Sequence, residues 1–205
     1  MMTIVYEVEG KLYINLTNRC PNRCDFCIRQ NGEGAYGSDS LWLEHEPSTD
    51  EVMAALAAAE PDRYAEVVFC GYGEPTCRLD TLLAVAREIR ARYPHLRIRL
   101  NTNGQASLIA GEDTTPMLAG LFDVISISLN EATSAAYDAL CHSAFGEAAF
   151  DAILAFATAV KAAVPQVVFT VVREFLSPEA LCACEGIAKD CGIPLRVRTY
   201  ISAQK

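Results

Sequence analysis

Short runs of β-branched and apolar residues recur along the chain, separated by longer stretches of helical period. The runs are "KLYINLT" from Lys11, "EVVFC" from Glu66, "LRIRL" from Leu96, "DVISISL" from Asp123, "QVVFTVV" from Gln166 and "LRVRTYI" from Leu195. Each has the length and residue types of a strand. After Pro47, Ser48 and Glu51 form a capping box, and the alanine-rich stretch to Glu60 propagates a helix. Leu79, Leu82, Leu83, Ala86 and Ile89 place one apolar face at helical spacing, and Pro94 stops that helix. From Ala132 to Val164 the pattern predicts two helices split near Gly146. A last helix starts with Ser177 as N-cap and Pro178 in its first turn.

Strands alternating with helices predict parallel β/α units with right-handed crossovers. Six units are present. A complete eight-unit barrel takes ~250 residues, more than the 205 here. The expected fold is therefore α/β, a partial (β/α)6 TIM-like open barrel of parallel strands, with residues 1–205 as a single domain. An open doubly wound sheet is the alternative that periodicity leaves open. In both, ligands bind at the C-terminal ends of the strands.

Charge and composition narrow the function. A net charge of −9 repels phosphate backbones, so nucleic acid is not an expected partner. The N-terminus has no basic start and no long apolar core, unlike a signal peptide. The longest apolar region, "AFDAILAFATAVKAAVPQVVFTVV", is broken by Asp151, Lys161 and Pro165. It reads as helix, turn and strand, so no membrane span is expected. Nine cysteines without a secretory signal suggest a reducing, cytoplasmic setting, where clustered thiols favour metal over disulfide.

Cys20, Cys24 and Cys27 lie just past the first predicted strand. Structural zinc takes four closed ligands, and His45, His142 and the other cysteines stand at no paired spacing. A [4Fe–4S] cluster also commonly takes four thiolates. Three thiolates would leave one iron open to a small molecule. On the residues alone, a non-catalytic zinc or iron–sulfur redox module stays open beside an enzyme.

Cys-x3-Cys-x2-Cys with Phe26 before the third cysteine resembles the signature of the radical SAM superfamily. The second strand ends "FCGYGEPT", which resembles that family's Gly-Gly-Glu-Pro motif. Gly73, Glu74 and Pro75 match it, while Tyr72 replaces the first glycine and Gly71 stands one position earlier. The third strand ends "NTNG", similar to a Thr-Asn-Gly of several relatives. In "ISISLN" the alternation sends Ser126, Ser128 and Asn130 to one face. The fifth strand lacks the Gly-x-Ile-x-Gly pattern of some relatives.

The resemblance implies a [4Fe–4S] cluster on Cys20, Cys24 and Cys27, with S-adenosylmethionine (SAM) on the fourth iron. It implies SAM contacts from Phe26, Gly71, Gly73, Glu74, Pro75, Thr102, Ser128 and Asn130. It also implies reductive cleavage of SAM to a 5′-deoxyadenosyl radical that abstracts hydrogen from a substrate the sequence does not identify. The wording around both motifs, including "GSDSLWLEHEPS", is similar to TatD-associated radical SAM proteins. The compact chain also resembles 7-carboxy-7-deazaguanine synthases, which would imply a purine-like substrate, and glycyl-radical activating enzymes, which would imply a protein partner.

Other features carry two readings each. Arg19, Arg23 and Arg29 make a basic loop, either solvated or a dock for an acidic electron donor such as flavodoxin or ferredoxin. The 28–47 loop exceeds the usual 2–6 residues of a βα connection. Its Trp42 and His45 are substrate-side candidates, although Trp42 would equally pin the loop to the barrel. Arg173 and Tyr200 end the last two strands, as ligand contacts or structural residues. Cys70 and Cys77 flank the Gly-Tyr-Gly-Glu-Pro turn. Cys182, Cys184 and Cys191 fall on or near the last helix without sharing a face, and Cys141 has no evident partner.

Overall fold

The computed structural model describes residues 2–35 and 37–200. Seven strands form one sheet: β1 (Val5–Val8), β2 (Lys11–Ile14), β3 (Glu66–Phe69), β4 (Arg97–Thr102), β5 (Val124–Ser128), β6 (Gln166–Val172) and β7 (Leu195–Arg198). Their order in the sheet is their order in the chain. β2 to β7 pair in parallel, and β1 runs antiparallel to β2.

A doubly wound sheet reverses strand order at a switch point. No reversal occurs here, so the chain winds in one direction, and β1 and β7 stay unjoined at the two ends. This is the partial barrel, with its six parallel strands where the hydrophobic runs predict them. β1 is the addition. It joins β2 through Glu9 and Gly10, whose φ angles of 49° and 71° are both positive, as a two-residue hairpin turn requires. Glu-Gly is not one of the strong hairpin dipeptides, which is why this strand is hard to see in the sequence.

The helices are α1 (Thr49–Ala58), α2 (Leu79–Arg92), α3 (Ala106–Ala110), α4 (Thr115–Leu118), α5 (Ser134–Cys141), α6 (Ala148–Lys161) and α7 (Pro178–Cys191). The capping box of α1 forms as predicted: the Glu51 amide donates to Ser48 Oγ, and Ser48 N donates to Glu51 Oε2 at 2.8 Å. Ser177 caps α7 by accepting from the Ala180 amide. The short α3 and α4, in the β4–β5 connection, are too brief to show a hydrophobic period. No helix among the described residues is long and apolar enough to cross a membrane.

Alternation along the strands separates two faces. Leu12, Ile14, Val67, Phe69, Ile98, Leu100, Ile125, Ile127 and Phe169 bury against residues such as Leu56, Leu82, Ile89, Ile153 and Cys184 of the helices. Burying one such large side chain contributes ~1.5–3 kcal/mol, and this layer fixes the register. The opposite, concave face is polar, with Lys11, Tyr13, Arg99, Asn101, Ser126 and Thr170 bordering one cavity.

Candidate functional site

The cysteine loop leaves the C-terminal end of β2 and is held from the far side by the end of α5. Arg23 N donates to Cys141 O at 2.9 Å, Asp25 N to Leu140 O at 3.1 Å, and Ala144 N to Pro21 O at 2.8 Å. His142 Nε2 lies 2.8 Å from Asp25 Oδ1. Beneath the loop, buried Asn22 donates to Tyr137 Oη at 2.9 Å. Gln105 Nε2 donates to Asn22 Oδ1 at 3.0 Å and to Tyr137 Oη at 2.9 Å. Asn22, Gln105 and Tyr137 are positioning residues that sequence reading missed. No motif marks them, and the pairs are up to 115 positions apart.

Cys20, Cys24 and Cys27 are all half-buried. Arg29 folds back among them. Its Nε donates to Cys27 Sγ at 3.4 Å, and its terminal nitrogens donate to Asn18 O and Asn22 O. Its charge acts on all three thiols. Burial, then the carboxylate of Glu74, push the Cys20 thiol up to about 12. A hydrogen bond with Cys141, then burial, raise Cys24. Cys141, partnerless in the sequence, therefore sits against a candidate ligand, and it also accepts from Asn130 Nδ2 at 3.4 Å.

Among the described residues, no three His, Cys, Asp or Glu side chains already converge on a metal position. The fit to an iron–sulfur cluster lies in the donor chemistry. Such clusters take thiolates. The loop supplies three thiols, and the Arg29 guanidinium donates to one of them, Cys27.

The Gly71–Pro75 turn packs directly on this loop. A side chain at Gly73 would stand 2.3 Å from Thr17 O and 2.5 Å from Arg19 O, and one at Gly71 would meet Asn15 Oδ1 at 2.1 Å. The glycines thus serve a close approach, here to the cysteine loop. Glu74 N donates to Arg19 O at 2.8 Å. The Glu74 side chain is 4% exposed and accepts four hydrogen bonds: from Thr76 N at 3.2 Å, Thr76 Oγ1 at 2.9 Å, Thr102 Oγ1 at 2.8 Å and Asn103 N at 2.7 Å. It ties the end of β3 to the end of β4. Burial holds its carboxyl above the usual carboxylate range, and these donors offset part of that rise.

Tyr72, the departure from the family motif, is buried. It donates to Gly32 O at 2.8 Å and meets the Trp42 ring edge-on at 5.1 Å. Arg29 lies 6.0 Å from the centre of the same indole. Trp42 and Tyr72 together latch the long loop onto the turn, as the structural reading of Trp42 expects. His45 instead contacts Glu51 at 2.9 Å on the exposed start of α1.

A cavity of ≈ 220 Å³ opens beside the loop, bordered by Cys24, Phe26, Cys27, Gly71, Tyr72 and Tyr200, among others. The Phe26 ring meets Phe175 at a tilt, with centroids 5.2 Å apart, and Phe175 meets Tyr200 edge-on at 5.2 Å. Phe175 is the member of this trio without a sequence signal. The predicted residues thus fall into groups. Phe26, Cys24, Cys27 and Gly71 share the cavity; Glu74 and Thr102 are bonded to each other; Asn130 reaches Cys141. Ser128 ends β5 half-buried, level with Thr170 of β6. Arg173 turns to its own short helical turn, donating to Leu176 O at 3.4 Å. Cys70 and Cys77 have thiols raised by burial, and Cys182, Cys184 and Cys191 remain on α7, away from this loop. Ile201 of the last predicted run lies outside the described residues.

Comparison with known proteins now has a geometry to meet. The family model of the radical SAM superfamily matches residues 14–179. Among solved structures, SuiB from Streptococcus suis, bound to the precursor peptide SuiA, has a TM-score of 0.70 at 16% identity, covering 96% of this chain and 40% of that one. A radical SAM methyltransferase from Sphaerobacter thermophilus has a TM-score of 0.59 at 15% identity, covering 95% and 68%. HydG, a maturase of the [FeFe]-hydrogenase, has a TM-score of 0.63 at 13% identity, covering 94% and 43%. The chain thus spans less than half the length of SuiB and of HydG, and at these identities the likeness is one of fold. No curated protein matches the sequence. With the family model covering most of the residues that build the loop, the turn and the sheet beneath them, the chain belongs to the radical SAM superfamily.

Proposed function

We propose that this protein is a radical SAM enzyme acting on a substrate bound in the concave face of the sheet. The family uses a [4Fe–4S] cluster and SAM. The single observation that carries the reading is that Cys24, Phe26 and Cys27 of the loop share one cavity wall with Gly71 and Tyr72 of the turn, at the strand ends. When bound, the cluster and SAM supply one-electron cleavage of the sulfonium to a 5′-deoxyadenosyl radical that abstracts hydrogen.

The chain's own residues do the positioning. Cys20, Cys24 and Cys27 are the thiolate donors, and Arg29 offsets their charge. The backbone of Gly71 and Gly73 would help hold SAM at the turn, with Pro75 fixing the turn's exit. Glu74 and Thr102 hold that backbone in place. Ser128 and Asn130 stand at the neighbouring strand end for the polar groups of SAM. Phe26 and Tyr200 border the cavity, with Phe175 packed against both, and would limit the access of water to a bound ligand.

Anaerobic reconstitution with iron and sulfide tests this. About four irons per chain, and dithionite-driven release of 5′-deoxyadenosine, are expected in the wild type, with both lost in Cys24→Ala. Stoichiometric zinc without SAM cleavage would sink the enzyme reading, and a full cluster in Cys24→Ala would refute the ligand assignment.

We also propose an acidic electron donor such as flavodoxin as the partner of the cysteine loop. Arg19 is engaged with Glu46 and Cys77 O, and Arg29 is turned inward. Arg19 and Arg23 are both exposed, and Arg23 is the one of the two not paired with Glu46. Arg23→Glu should slow cluster reduction by flavodoxin several-fold, since rim charges act chiefly on association rate, while dithionite reduction stays the same. Equal flavodoxin rates would remove the idea.

A further inference from the structure

The three thiols of the cysteine loop have different neighbours. Cys27 Sγ accepts from Arg29 Nε at 3.4 Å. Cys20 lies within the field of the Glu74 carboxylate. Cys24 shares a hydrogen bond with a fourth thiol, that of Cys141. Cys141 stands outside the loop, at the end of α5, and the function proposed above gives it no part.

The backbone holds this pair together. Arg23 N donates to Cys141 O at 2.9 Å and Asp25 N to Leu140 O at 3.1 Å, so bonds to the end of α5 lie on both sides of Cys24. Backbones joined in this way run ~5 Å apart, and a disulfide needs Cα atoms ~4.4–6.8 Å apart. Side-chain rotation therefore suffices to join the two sulfurs, and neither segment has to move. Cys141 is fully buried. Its sulfur also accepts from Asn130 Nδ2 at 3.4 Å, which orients it. Cys24 is half-buried and borders the ≈ 220 Å³ cavity, where a small solute can reach it. One thiol of the pair is thus open to reagents, and the other waits behind it.

From this we infer that Cys24 and Cys141 are a reversible modification site: when Cys24 is not bound to iron, a peroxide oxidises the pair to a disulfide. The Cys24 sulfur attacks the O–O bond of hydrogen peroxide, which yields a sulfenic acid and one water. The Cys141 sulfur then attacks the sulfenic sulfur. The S–S bond forms, the S–O bond breaks, and the departing hydroxide takes the Cys141 proton as a second water. Two thiols give up two electrons, and one hydrogen peroxide accepts them to become two waters. A dithiol restores both cysteines by exchange. Without Cys141 the sulfenic acid is open to a second peroxide, and the sulfinic acid that results is not reversed by thiols. The pair would thus save a cluster ligand from permanent loss, and it would close the iron site until a reductant reopens it. The inference needs the thiols alone and does not depend on radical chemistry.

The full chain, reduced and stripped of iron with a chelator, is treated with an equivalent of hydrogen peroxide under argon and mapped by non-reducing peptide mass spectrometry. The expected product is the Cys24 peptide joined to the Cys141 peptide within one chain, with both thiols recovered after dithiothreitol. In Cys141→Ala, sulfinic acid on Cys24 should rise about fivefold or more. Cys182→Ala removes an exposed thiol on α7 and should form the same link to the same extent. The inference is overturned if the wild type shows no Cys24–Cys141 link, if Cys24 joins Cys20 or Cys27 instead, or if Cys24 in Cys141→Ala is recovered as fully as in the wild type. The wild-type map decides the matter without the variant, should Cys141→Ala fail to fold. Protein reconstituted with iron and sulfide keeps this result apart from the enzyme reading. There the link should form as iron is released. A link that forms while all the iron is retained would confirm the thiol pair and remove Cys24 from the cluster ligands.

Discussion

Gly73→Ala should destabilise the protein by ~3 kcal/mol and abolish most of its iron retention. The added carbon would stand 2.3 Å from Thr17 O and 2.5 Å from Arg19 O, and both are backbone atoms. Neither can swing aside as a side chain can, so the turn and the cysteine loop must part. Overpacking of this kind costs ~1–3 kcal/mol, occasionally more. Separation would also break the Glu74 N to Arg19 O bond. Gly186→Ala is the control. It lies inside α7 with nothing within 4 Å of the added carbon, and should be neutral or stabilise by up to ~1 kcal/mol. Urea titration and iron content after desalting read both effects. A Gly73→Ala protein with wild-type stability and iron would show that the two loops are not seated as described.

Glu74→Ala should be nearly as damaging, for a different reason. It removes one acceptor group and strands four donors, two of them the backbone amides of Thr76 and Asn103. Leaving a buried donor unsatisfied costs ~1–3 kcal/mol, so a loss of ~4 kcal/mol is expected. Glu74→Gln keeps one acceptor oxygen and should lose roughly half as much. The split between the two variants is informative. If Glu74 acted on SAM alone, both would keep wild-type stability and differ only in SAM affinity. A stability loss in the apo-protein, ordered Ala greater than Gln, assigns it to bracing the ends of β3 and β4.

Much of this was legible along the chain. Hydrophobic runs placed six parallel strands because burial against helices demands a near-continuous apolar face. The spacing of Cys20, Cys24 and Cys27 marked the loop because ligands of one metal centre must be close in space, and a single loop achieves that most simply. What escaped reading is what long-range packing decides. Asn22, Gln105 and Tyr137 meet across three separate segments. Cys141 becomes a neighbour of Cys24 only once α5 is docked. The donors that brace Glu74 were equally out of view, because Thr102 and Asn103 arrive from the next strand. The cavity bordered by Arg99 and Arg196 was hidden for a related reason: in "LRIRL" and "LRVR" the arginines mark a strand, and only the order of the sheet brings the two strands around one space.

The docking of the cysteine loop on α5 has a consequence for how the molecule comes into being. Strand order equals chain order, so each strand can add to the growing edge as it leaves the ribosome. The cysteine loop breaks that rule. Its three thiols are synthesised well before α5, yet the carbonyls that receive Arg23 and Asp25 belong to Cys141 and Leu140. Until α5 has been made the loop has no seat, and its thiols stand in open water. The loop is written before its support, and metal insertion belongs after α5 has docked.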